Sequence, residues 1–158
     1  MRRGCCLLFT LLILISGMTG CDSDNNLPIY GTYTMDELIY HSSLNTSTYE
    51  QTNKLLGETQ FVIKEKEFRI KKTDSTYEIS KPSYVTRKMN DELMKQFQSA
   101  VSNMISVTDY KYKYQYEIYN DQERTEYRLF LMDDELWLAI YTDTAKGEEL
   151  ILDLMRLK

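Results

Sequence analysis

Few side chains in this 158-residue sequence have the types needed for chemistry: three cysteines, one histidine, one acidic run and thirteen tyrosines. Cys5, Cys6 and Cys21 are the only thiols, and the one histidine is His41. With no cysteine beyond position 21 and no second histidine, the rest of the chain cannot assemble a zinc site of usual composition. His41 could serve as a general base. The serines of "HSSL" lack the strained glycine-flanked turn that exposes a nucleophile, so His41 reads as a solvated loop or helix-entry residue. Asp133-Asp134-Glu135 could bind calcium or exchange protons. Calcium loops, however, space their oxygen ligands along a longer loop with a turn glycine, and adjacent carboxylates in a hairpin point to opposite sides. Turn chemistry accounts for this run.

The tyrosines carry more. In "DYKYKYQYEIY" (109–119), Tyr110, Tyr112, Tyr114, Tyr116 and Ile118 alternate with Lys111, Lys113, Gln115 and Glu117, the period-2 pattern of a strand with one dry face. Trp137 and Tyr141 share a face on a later strand. Aromatic walls bearing hydroxyls suit an apolar ligand with a few polar groups, which makes Tyr112, Tyr114, Trp137 and Tyr141 the candidate ligand-binding residues. Two other uses remain open: rings packed as core with hydroxyls at a barrel mouth, or rings facing outward as a recognition surface. No catalytic residue, metal site or cofactor site emerges, and the expectation is a protein that is not an enzyme.

These residues sit in a chain with a distinctive start. Arg2 and Arg3 precede an apolar run from Cys5 to Ile15. As a helix the run would cross only about half of a ~30 Å hydrocarbon core, so it fits the apolar region of a signal peptide better than a membrane span. Ser16, Gly17, Thr19 and Gly20 then lead to Cys21. Met18-Thr19-Gly20-Cys21 resembles the lipobox of bacterial lipoprotein precursors, with Met18 in place of the usual leucine. The resemblance implies cleavage before Cys21, acylation of its thiol, and attachment to the cell membrane or outer membrane on the extracytoplasmic side. Several acyl chains give lasting attachment where one does not.

The expected organisation is a signal peptide over 1–20, a lipidated tether over 21–28 and a single domain over 29–158. The net charge of −5 becomes about −7 once Arg2 and Arg3 are removed. An acidic body argues against nucleic acid and against electrostatic docking on anionic lipid.

The body reads as strand-rich. "IYGTYTMDELIY" (29–40) predicts a first strand with a bulge near Met35. Residues 45–57 predict a helix capped by Thr46 or Ser47, with Gly57 as its stop. Two short strands follow around Lys64–Glu67, then "STYEIS" (75–80) and "SYVTRK" (83–88) on either side of Pro82. Asn90 caps a second helix over 90–105, where Leu93, Met94, Phe97, Ala100, Val101 and Met104 form one apolar stripe. Strands at 109–119, 126–132, 135–141 and 148–157 close the chain, with Asp133-Asp134 and Ala145-Lys146-Gly147 as turns. Leu150, Leu152 and Leu154 are expected to alternate inward.

The predicted class is mainly β, a β-rich α+β chain forming an antiparallel β-barrel or strongly curved sheet with two helices. The opening "IYGTYTMDELIY" and the closing "YRLFLMDDELWLAIY" and "EELILDLMRL" resemble the small lipocalin-like lipoproteins of bacteria. Gly31-Thr32-Tyr33 takes the place of the family's Gly-x-Trp, and Arg156 that of the late arginine that packs over the indole. The resemblance implies a calyx for a small apolar ligand, with the membrane as the other partner through acylated Cys21. The alternative is a non-catalytic module that binds or inhibits an envelope protein.

Overall fold

The computed structural model describes residues 27–101, 104–106, 110–132 and 135–158. Cys21 and its preceding motif lie outside the described residues, as do Asp133 and Asp134. The elements are β1 (Gly31–His41), α1 (Tyr49–Gly57), β2 (Gln60–Lys64), β3 (Glu67–Lys71), β4 (Thr76–Ser80), β5 (Ser83–Lys88), α2 (Asp91–Ala100), β6 (Tyr114–Asn120), β7 (Glu123–Leu131), β8 (Leu136–Asp143) and β9 (Glu149–Leu157). The nine strands form one sheet in the order β4-β3-β2-β1-β9-β8-β7-β6-β5, and every pairing is antiparallel.

These pairings also set the direction of each strand. Followed outward from β1 on both sides, they make β4 and β5 run the same way. Only Lys81 and Pro82 separate them, so the two lie end to end as halves of one kinked strand. Lys81 takes a left-handed φ of 67°, and Pro82 has no N–H to donate to a ladder. β4 pairs with β3 while β5 pairs with β6, so the two ends of the row are joined by the chain itself. The sheet is therefore curled into a half-barrel, as the alternating sequence predicts and consistent with a lipocalin-like architecture. β1 spans the opposite side in the same manner. Its start pairs with β2, the remainder with β9, and register shifts fall at Met35/Glu37 and Leu38/Tyr40.

The inner face is packed with side chains from every strand pair. Phe61 and Ile63 of β2, Phe68 and Ile70 of β3, Ile79 of β4, Tyr116 and Ile118 of β6, Leu129 of β7, Leu136 and Leu138 of β8, and Met155 and Leu157 of β9 form one buried cluster. Each such side chain contributes about 1.5–3 kcal/mol relative to exposure. Ile29 is wholly buried in the same cluster and Leu27 packs against it. The end of the expected tether therefore belongs to the domain. Tyr33 folds its ring back over Gly31, where a Cβ would lie 2.8 Å from the ring, and its hydroxyl donates to the Ile29 carbonyl at 3.1 Å.

A second cluster lies on the outer face. Phe97, Ala100 and Val101, from α2 and its C-terminal cap, cover Phe130, Met132, Trp137, Ala139, Tyr141, Ile151 and Leu154. Leu154 is thus buried beneath a helix rather than in the barrel. Leu150 and Leu152 are only half-buried, and the register shift between Ile140 and Tyr141 brings Ile151 rather than Leu152 onto the face of Leu154.

Both helices form near the predicted places with altered ends. α1 is capped by Thr48, not by Thr46 or Ser47. Thr48 Oγ1 accepts from the Gln51 N–H at 3.3 Å while Gln51 Oε1 accepts from the Thr48 N–H at 3.0 Å. Thr48→Ala is expected to cost about 1 kcal/mol, measurable by urea denaturation. Asn90 caps α2 as predicted, accepting from the Leu93 N–H. The helix ends at Ala100, and Gln98 Nε2 donates to the Ile105 carbonyl at 2.7 Å as the chain turns. Met104, the last residue of the predicted stripe, is consequently exposed.

Candidate functional site: a cleft beneath the second helix

Strand register builds a polar floor on the outer face. One cross-strand row carries Arg87, Gln115, Phe130, Trp137 and Arg156; the next carries Val85, Glu117, Arg128, Ala139 and Leu154. α2 covers the apolar part of these rows. Beside it opens a cleft of about 580 Å³, in the size range of small-molecule sites. Leu93, Lys95, Gln96, Phe97, Ser99 and Ala100 form its helical wall, and Gln115, Glu117, Arg124 and Arg128 its floor.

The floor is an ion-pair network with unusual burial. Glu117 is only 3% exposed and Arg128 only 5%. Arg87 meets Glu117 at 3.1 Å and Arg124 meets it at 3.3 Å. The Tyr119 hydroxyl donates to the same carboxylate at 3.3 Å. Glu149, on the facing edge, accepts from both Arg124 and Arg128. Buried charges are tolerated when paired in this way. The Arg128 guanidinium also stacks on Tyr141, 3.8 Å from the ring centroid. Burial tends to discharge Arg128, but Glu149 and Tyr141 together outweigh it and the pKa rises. Burial pushes Tyr141 up to about 12, only partly offset by Arg128, so the ring is neutral at ordinary pH. Among the described residues Arg128 Nε has no hydrogen-bond partner.

The four residues predicted to line a ligand pocket are divided by the fold. Tyr112 and Trp137 do meet, with ring centroids 6.2 Å apart, but beneath α2 and against Phe97 rather than in the barrel. Trp137 is fully buried, and its Nε1 donates to Glu135 at 2.9 Å. Burial raises the Tyr112 pKa, and its hydroxyl has no partner among the described residues. Tyr141 reaches the cleft floor. Tyr114, paired opposite Leu131, is 38% exposed and stands next to Tyr116 of the inner cluster. The expected tyrosine ladder is broken because β6 begins only at Tyr114. Tyr110 and Tyr112 precede it and turn onto Trp137.

Two further expectations require correction. His41 is not solvated. It faces Asp153 across the β1–β9 pair, with Nδ1 2.7 Å from Asp153 Oδ1 and Nε2 2.9 Å from the Ser47 carbonyl. Nε2 is thus turned to a carbonyl, not to a hydroxyl that it could activate. Arg156 engages Asp36 at 2.9 Å, Glu37 at 2.9 Å and Glu135 at 3.3 Å, so its charge is held by carboxylates rather than by the Tyr33 ring.

No protein family, curated protein or solved structure matches the chain. Among the described residues no group of three or more His, Cys, Asp or Glu side chains is placed to hold a metal ion, and no helix is long and apolar enough to cross a membrane.

Sequence reasoning passed over the arginines. The signal was present in "ERTEYRLFLM": Arg128 and Phe130 are two apart, so they share a strand face. A charge on the same face as a buried aromatic is the pattern of a covered polar site, not of a wet surface.

Proposed function

We propose that this is a lipid-anchored, extracytoplasmic, non-catalytic binding protein that takes a small molecule in the cleft beside α2. The observation that carries the reading is the 580 Å³ cleft with Glu117 and Arg128 nearly buried at its floor. Buried charges gain little for stability over apolar packing of the same volume, and a binding role accounts for keeping them. The inner face, where the resemblance to lipocalins would put an apolar ligand, is occupied by Phe61, Phe68, Ile118 and Leu129. Attachment rests on the Met18-Thr19-Gly20-Cys21 motif.

Two experiments test this reading. Cys21→Ala is expected to leave the protein soluble or uncleaved; a processed variant that still fractionates with membranes contradicts the anchor. For the site, a ligand screen can be read by emission from Trp137, the single tryptophan, which packs in the same cluster as Phe97 of the cleft wall. Ser99 is exposed and lines the cleft, so Ser99→Phe should fill it. Saturable binding lost in Ser99→Phe, with the melting temperature kept, supports the cleft. Binding that survives the substitution moves the site elsewhere.

A further inference from the structure

The charges of the cleft do not balance. Three arginines, Arg87, Arg124 and Arg128, meet two carboxylates, Glu117 and Glu149. The remaining charged lining residues, Lys95 and Glu148, offset each other. One positive charge is left over in a cleft whose floor is largely out of water, on a chain with a formal net charge of −5. Arg128 adds an independent sign: its side chain is 6% exposed, yet Nε lacks a hydrogen-bond partner among the described residues. A buried donor left unpaired is destabilising, and an acceptor brought by a ligand would satisfy it.

The two sides of the cleft differ in character. On the α2 side Leu93, Phe97 and Ala100 supply apolar surface among Lys95, Gln96 and Ser99, whereas the sheet presents guanidinium groups and carboxylates. Next to the cleft, a smaller pocket of about 120 Å³ is bordered by Glu126 and Asp143 as well as Arg124 and Arg128. Those two acids would repel an anion on that flank and confine it to the side of α2.

We infer that the cleft binds a small amphiphilic monoanion, its carboxylate on Arg128 and its apolar body against Leu93, Phe97 and Ala100. The inference rests on the proposed binding function and names the ligand class. A guanidinium presents parallel donors that match the two oxygens of a carboxylate, which an ammonium does not. A single negative charge neutralises the surplus without stranding another.

The test is calorimetric titration of the mature, detergent-solubilised chain with 4-phenylbutyrate, and with 4-phenylbutyramide as its neutral counterpart. The carboxylate should bind about tenfold or more tighter than the amide, and more weakly as salt rises. Arg128→Lys keeps the charge and loses the planar fork, and should weaken the carboxylate about tenfold while hardly changing the amide. If Arg128→Lys does not fold, the half-exposed Arg124→Gln removes the surplus charge instead, and should likewise weaken the carboxylate while hardly changing the amide. Equal affinity for acid and amide, both lost in Ser99→Phe, overturns the ligand class and leaves the cleft as the site. Carboxylate binding that persists in Ser99→Phe overturns both. No carboxylate binding up to 10 mM (about −3 kcal/mol) overturns the inference.

Discussion

Trp137→Ala is expected to destabilise the protein by about 4 kcal/mol. The indole is wholly buried between the sheet and α2, with Phe130 beside it in register and Phe97 stacked on Phe130 at 4.3 Å. Phe130 and Ala139 are fixed in the sheet beside it, so the lost contacts and the cavity both count. Trp137 Nε1 also bonds Glu135, which in turn holds Arg156. Truncation therefore also takes the donor from Glu135 Oε2, while Oε1 keeps Arg156. Because the cluster is what seats α2, and α2 supplies the wall of the cleft, ligand binding should fall with stability. Denaturant unfolding of the variant checks the magnitude. A loss under 1 kcal/mol would mean that α2 is not held by this cluster.

Asp153→Ala should cost about 3 kcal/mol at pH 6 and less as pH rises. Asp153 is 5% exposed and accepts from His41 and from Asn45 Nδ2, the latter at 3.0 Å. Both His41 nitrogens face acceptors, an arrangement that only the imidazolium satisfies by donating twice. Burial by itself would lower the His41 pKa. The Asp153 hydrogen bond, the Ser47 carbonyl and the charges of Asp153 and Glu50 outweigh it, and the pKa is raised above the ordinary histidine value. A raised folded-state pKa means that the stabilisation is fully present below about 6.5 and is lost as pH climbs through the folded value. The pair ties β1 and β9 to the loop that leads into α1. Melting temperatures from pH 5.5 to 9 should show wild type and Asp153→Ala converging toward alkaline pH; parallel curves would contradict the charged pair.

The strands were readable from apolar runs bounded by turn residues, more than from strict alternation. The apolar runs of β2, β3, β7, β8 and β9 between turn residues gave strands, with clean alternation only in β3, and Asn90 marked the start of α2 through its capping side chain. What alternation cannot tell is which face points into a barrel when both faces are covered. Trp137 and Leu138 are adjacent and both wholly buried, one under α2 and one inside the sheet. Tyr112 and Tyr116 share a phase in sequence yet lie on different sides, since the strand starts between them. The cleft was hidden for a related reason. Glu117 looked like the wet face of a tyrosine-rich strand, and its burial depends on arginines from β5 and β7 that meet it only through register. Lys81-Pro82 read as a break between strands, whereas it is the kink that lets one strand serve both ends of the sheet.

The central claim is that the ligand site lies outside the half-barrel, beside α2. Backbone amide shifts of the mature chain during titration with 4-phenylbutyrate test it most directly. Saturable shifts confined to Leu93–Ala100, Gln115–Glu117, Arg124–Arg128 and Gly147–Glu149 are expected. Shifts centred instead on Ile63, Phe68, Ile118 and Leu129 would place the ligand within the inner face and contradict the account.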